Sequence, residues 1–393
     1  MNLRSWLLLA WTCSVLRLPI SANDPSRVPA PSPSAVYRAE KKLDSTPPTP
    51  EALAAEADAA AQWTQKRLRT AYERAGTKNP KWNEAVLPIL DDVARLRAGS
   101  DKVDLVQLRT KVRKVTEQGC TDPLLRYFNL RYGKPLILRE ELPNEYRSVS
   151  LALRESDYDA IEKFWATHRT ASFLQQRAGT NRSVEVEELR TESYRWLMQA
   201  MTDTSMPPEE VVAMTREFMA VVQGNSTSYR GVWAQLDPVL GQFWGDRWSV
   251  LQFRGGVHLA LAWMARGNKT ADKVTEDAWK GFAKELKTAQ ELLTRSWQLC
   301  PHTETARQMI NVELGQGEGR ERMELWFNRA LALDPTNYGA CVDKLWYLMP
   351  RWHGDHPDLI RFGRQCLEHP TWKGEVPLTL VRAHEYVASD LPK

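Results

Sequence analysis

The chain has 393 residues, 42% hydrophobic and 26% charged, a balance that argues against intrinsic disorder and leaves room for two or three domains or one extended stack. Its 53 basic and 49 acidic side chains give a formal charge of +4 with no basic block, so nothing suggests a nucleic-acid partner.

The first 22 residues carry the pattern of a secretory signal peptide. Arg4 precedes an apolar stretch from Trp6 to Leu18, and Ile20-Ser21-Ala22 leads to a polar start at Asn23. That stretch is too short to cross a bilayer comfortably, and no other window matches a membrane helix. The expectation is an exported protein, periplasmic or secreted, with no integral membrane segment once the signal is removed. Residues 23–50 are rich in Pro and Ser, with Pro29, Pro31, Pro33, Pro47, Pro48 and Pro50, and read as an extended tether. Beyond Cys13, the cysteines are Cys120, Cys300, Cys341 and Cys366. None has C-x-x-C or zinc spacing, and core filling is the simplest use for them.

From Glu51 onward the pattern is helical. Residues 51–75 follow the capping pair Thr49-Pro50, and 80–96 carry a helical stripe that Pro88 threatens to kink. A helix over 103–117 stops at Gly119, and Thr121-Asp122-Pro123 starts another. Residues 134–144 read as a connecting loop. Helices are then expected over 147–154, 156–176, 185–201, 208–222 and 229–243, with breaks at 179–181 and 224–225. Further helices cover 248–265 and 275–299, the latter with Trp279, Phe282, Leu286, Ala289, Leu293 and Trp297 on one face. Sustained strand-type alternation is absent, so the fold class is all-α. The expected organisation is a helical domain over 51–250 followed by helical repeats over 251–393.

The repeats announce themselves through Pro301, Pro335 and Pro370, spaced 34 and 35 residues apart and each closing a similar helix. A period of this length implies antiparallel helix hairpins that shield their apolar faces by stacking, an α-solenoid. Within the unit 304–337, Ile310, Leu314, Phe327, Ala330 and Pro335 resemble the apolar, small and Pro positions of a tetratricopeptide repeat (TPR). Arg307 and Asn311 depart from that pattern. The blocks Asn79-Pro80-Lys81-Trp82, Gly119 to Leu124 and Tyr347 to Trp352 look like those of a family of exported bacterial TPR-like proteins catalogued as a domain of unknown function. The resemblance implies helical stacking and export, and no activity.

Constellations that could carry chemistry are few. His353-Gly354-Asp355-His356 offers two imidazoles and a carboxylate, but in a loop and without a third protein ligand, so no metal is expected. Gly315-Gln316-Gly317-Glu318-Gly319 lacks the strand and the Lys-Ser/Thr of a phosphate loop and reads as a tight helix reversal. Glu209-Glu210 in a helix first turn and Asp237-Pro238 at a helix start or turn are the best carboxylate candidates for hydrolysis, and neither spacing demands it. No catalytic residue and no cofactor are expected. The favoured role is a non-enzymatic scaffold that binds a protein or peptide in a groove lined by Gln308, Val312, Val342 and Trp346. The alternative is a glycan-active enzyme or glycan binder on an α/α-toroid, motivated by the 16 Trp residues and by export.

Overall fold

The structure, a computed structural model, describes residues 49–99, 103–179, 183–222 and 226–390. The predicted signal peptide, nearly all of the tether and the breaks expected near 181 and 225 lie outside them. The described residues form sixteen α-helices and no strand. In chain order these are α1 (Pro50–Ala75), α2 (Asn83–Arg97), α3 (Leu105–Glu117), α4 (Pro123–Phe128), α5 (Leu142–Glu155), α6 (Ala160–Ala178), α7 (Val184–Ala200) and α8 (Pro208–Val222). They continue as α9 (Ser226–Trp244), α10 (Trp248–Arg266), α11 (Glu276–Leu299), α12 (Thr303–Gln316), α13 (Arg320–Leu333), α14 (Tyr338–Tyr347), α15 (His356–Glu368) and α16 (Thr379–Asp390). Among the described residues, no helix is long and apolar enough to cross a membrane.

Local chemistry explains most boundaries. The Thr49 hydroxyl accepts the Ala52 amide at 3.2 Å, and Pro50 opens α1 where a missing N–H costs nothing. Asp122 opens α4 by accepting the amides of Leu124 and Leu125 at 2.9 and 3.1 Å. The same carboxylate accepts the Thr77 amide at 2.8 Å and the Tyr158 hydroxyl at 3.0 Å. It thereby ties the Thr77–Trp82 connection and the start of α6 to α4. Two expectations need correction. The loop expected at 134–144 ends earlier, at 141, because α5 begins at Leu142 with Pro143 in its first turn; before the loop, α4 runs on through a π-helical turn, Asn129–Gly133. Asp237-Pro238 is neither a helix start nor a turn. Both residues sit inside α9, where fully buried Leu236 and Leu240 hold the helix on either side of the proline.

Three large apolar cores run along the chain. The first joins α1 to α6, the second α6 to α10, and the third α10 to α16. Each fully buried Leu or Phe contributes about 1.5–3 kcal/mol relative to exposure. The boundary expected at residue 250 falls inside α10, whose Val250, Phe253, Val257 and Leu261 belong to the second core while Leu259 and Ala262 belong to the third. One helix therefore serves both. In the third core α10 pairs with α11 and α12 with α13, and α10, α12, α14 and α16 touch in succession. This is a helix-hairpin α-solenoid with a layer of first helices and a layer of second helices. The α12–α13 reversal closes on Gly317, whose φ of 67° is left-handed, a region glycine enters without steric cost.

Cations and aromatic rings alternate through the stack. Lys344, almost fully buried, lies 4.2 Å from the ring centroids of both Phe327 and Phe362 and reaches Glu324 at 2.6 Å. Arg329 covers Trp326 at 4.4 Å and Trp297 at 5.1 Å. Of the described tryptophans only Trp279 is exposed, and the others are buried or half-buried.

Candidate partner-binding face

The first-helix layer positions the candidate site. On α14, Tyr338, Val342 and Trp346 recur every four residues and so form one stripe. All three are half-buried, with an edge left to solvent. Trp346 meets Tyr386 of α16 edge-on, ring centroids 6.1 Å apart, and Arg351 lies over its indole at 4.2 Å. Arg382, one turn before Tyr386, covers that ring at 5.8 Å and pairs with Glu385 at 2.8 Å. On the α12 side, Arg307 donates to Asp343 at 2.6 Å and reaches Glu304 at 3.4 Å. Burial pushes the Asp343 carboxyl above its ordinary range, against the pull of Arg307.

Arg351 differs from its neighbours. Burial of its guanidinium lowers its pKa, and it makes no ion pair among the described residues. Asp390, which acts on it at longer range, is bonded to His356 at 2.9 Å. A guanidinium resting on an indole without a carboxylate partner is suited to accept one from outside.

Of the four groove residues expected from the sequence, Val342 and Trp346 lie together on this face. Gln308 is half-buried against α10, where the Nε2 atom would stand 2.8 Å from a Cβ placed on Gly256, and its Oε1 is buried without a hydrogen bond. Val312 is fully buried in the third core and lines no groove. The reason is its place in the array: α12 is covered by α10, α11, α13 and α14, so little of its surface stays open. Arg351, Arg382 and Tyr386 went unrecognised in the sequence. The four-residue spacing of Arg382 and Tyr386 was a usable signal, whereas the stacking of Arg351 on Trp346 across a loop was not.

The remaining constellations resolve into structural roles. His353 is bonded to the Leu314 carbonyl at 2.9 Å and His356 to Asp390, while Asp355 caps α15 through the Asp358 amide at 2.7 Å. Glu209 accepts from Ser249 and Glu210 from the Trp165 indole, at 3.2 and 2.9 Å, so the two acids serve different helices. Asp237 is drawn into a cluster that sequence reasoning missed. It accepts from Arg254 at 2.7 Å and faces His258 at 3.5 Å, and His258 in turn meets Glu285 at 2.7 Å. A single histidine inside the apolar helix 248–266 was the only hint of it.

Residues 305–368 match the family described as a domain of unknown function, DUF4034. The match begins within the first turn of α12 and ends with α15, so it spans two complete hairpins of the stack. No curated protein and no solved structure matches the chain.

Proposed function

We propose that this protein is an exported, TPR-like binding module that takes up a peptide segment of a partner protein on the face formed by α14 and α16. The observation that carries this reading is the Arg351–Trp346–Tyr386 group, half-open to solvent and continuous with the Val342–Tyr338 stripe. Aromatic and Arg side chains with an apolar body and a polar end are the ones that dominate binding energy at interfaces. The fitting occupant is an extended peptide that lays an apolar side chain along Val342 and Trp346 and sets a carboxylate on Arg351. The rest of the lining supports this choice, because Arg307 and Arg382 already hold acids of their own. Export rests on the Arg4, Trp6–Leu18 and Ser21-Ala22 pattern of the leader.

The test is a random-peptide display selection on the immobilised full chain with counter-selection on the Arg351→Glu variant. Enriched peptides should combine an acidic residue with a neighbouring aromatic or large aliphatic one. They should bind Arg351→Glu and Trp346→Ala at least tenfold more weakly, with the Arg351→Glu melting temperature unchanged. Failure to enrich any sequence, or equal binding to Arg351→Glu, would overturn the proposal.

A further inference from the structure

A second site lies far along the chain from this face. A cavity of about 150 Å³ opens between the π-helical turn 129–133, α5 and α6. Its polar lining is Tyr127, Arg131, Tyr146, Arg169, Ser172 and Gln176, with no carboxylate among the lining residues. We propose that it binds a small oxyanion of the phosphate or sulfate type, either free or as the terminal group of a larger ligand.

The donor set carries the proposal. Two guanidinium groups, two phenols, a serine hydroxyl and a carboxamide converge on one small space. Each of these six side chains can donate, and the guanidinium planes suit the oxygen spacing of a tetrahedral anion. Among the described residues, the Tyr127 and Tyr146 hydroxyls, the Ser172 hydroxyl and the Gln176 amide make no hydrogen bond within the protein, although Tyr127 is buried and Tyr146 half-buried. These donors open on the cavity with no protein acceptor, so an anion from outside can take them together. The Arg169 Nε is buried and unsatisfied, and only its Nη2 touches an acid, Glu217, at 3.4 Å. Arg131 rests on the Tyr132 ring at 5.6 Å and makes no ion pair among the described residues.

The surroundings are electropositive. Burial pushes both phenols up, while Arg131 and Arg169 pull both down, with Arg97 adding to the pull on Tyr127. Glu162, seven residues before Arg169 on α6, is already held by Arg67 at 2.7 Å and by Arg97 at 2.6 and 2.8 Å. It has no charge to spare for the cavity. The backbone adds a second sign of specialisation, since the π-turn ends on Lys134, the one non-glycine residue with positive φ (50°) among the described residues. Single π-turns and left-handed non-glycine residues both concentrate at functional sites. The stack of Phe173 on Tyr146, centroids 4.1 Å apart, fixes one wall. The volume is well below the ~300 Å³ at which sites for drug-sized ligands begin, so an entire nucleotide or sugar does not fit.

The experiment measures thermal stability and calorimetric binding of the full chain with inorganic phosphate, sulfate and glycerol 3-phosphate, against chloride at matched ionic strength. Phosphate or sulfate should raise the melting temperature beyond chloride and bind with one-to-one stoichiometry. Arg131→Gln, on an exposed side chain without an ion pair, should weaken binding about tenfold, and Tyr146→Phe, which keeps the stack on Phe173, should weaken it severalfold. Equal effects of inorganic phosphate and glycerol 3-phosphate would assign the cavity to a terminal phosphate group, and an effect of the inorganic ions alone would assign it to the free anion. Either result supports the site. No effect beyond chloride, or equal binding by Arg131→Gln and Tyr146→Phe, would overturn it.

Discussion

Two histidines show how differently one residue type can be used in the same chain. His168 is buried against Phe164 and beside Arg169 and Arg190. Burial first, and then those two cations, push its pKa down to about 3. His258 lies between Asp237 and Glu285, with Arg254, Arg230 and Lys284 acting on those acids. Burial opposes its charge, but the hydrogen bonds to Asp237 and Glu285 outweigh burial and raise its pKa. In the charged form it donates to both carboxylates, and the 3.4 Å approach of the Trp233 indole N–H then counts for little. The two groups impose opposite pH dependences on stability. The contribution of His258 is complete below the unfolded value of about 6.5 and is lost as pH rises through its raised folded pKa. The contribution of His168 is complete above about 6.5 and falls by about 2 kcal/mol on acidification to about pH 5, since its folded form resists protonation. Melting curves across about pH 5 to 9 should therefore lose their alkaline decline in His258→Gln and soften their acid decline in His168→Gln. A His258→Gln protein that keeps the wild-type alkaline slope would refute the assignment.

At the scale of elements, the spacing between helices is set by small side chains at crossing points. The backbone of α10 comes so close to α11 that a Cβ on Gly255 would stand 2.6 Å from Leu293 Cγ and 2.8 Å from its Cδ2. Gly255→Ala should cost about 1–3 kcal/mol by overpacking. Gly231, exposed on α9 with nothing within 4 Å of such a Cβ, should gain about 0.5–1 kcal/mol on the same substitution, because alanine favours the helix. Chemical denaturation of the two variants tests this, and a stabilised Gly255→Ala would contradict the close approach. Much at this scale was legible in the sequence. Thr49-Pro50, Thr121-Asp122-Pro123 and the glycine-rich reversal at 315–319 mark real boundaries, because capping and left-handed turns are local chemistry. Pro238 misled for the complementary reason: its missing N–H argues locally for a break, while burial of Leu236 and Leu240 keeps α9 continuous. Val312 was misplaced because the open side of a helix in a stack depends on its neighbours. Repeat position and four-residue spacing report a face, not what covers it. The oxyanion cavity was invisible for the same reason, since its donors come from three elements separated by connections of unrelated sequence.

For the whole molecule, the described helices form a succession of cores linked by shared elements. Helix α6 contributes Ala166 to the first core and Ile161 and Phe164 to the second, and α10 likewise joins the second and third. Such sharing couples neighbours while leaving distant segments in contact only through intermediates. The DUF4034 match covers α12 to α15, and the face proposed here uses α14 from that pair of hairpins and α16 just beyond it. If the α14–α16 face takes the partner, the second helices α11, α13 and α15 stay free of it. Hydrogen-exchange mass spectrometry with and without a selected peptide measures that directly. Added protection should concentrate in residues 338–351 and 379–390 and vanish in Arg351→Glu. Protection centred on α11, α13 and α15, or on the helices before α8, would contradict the account.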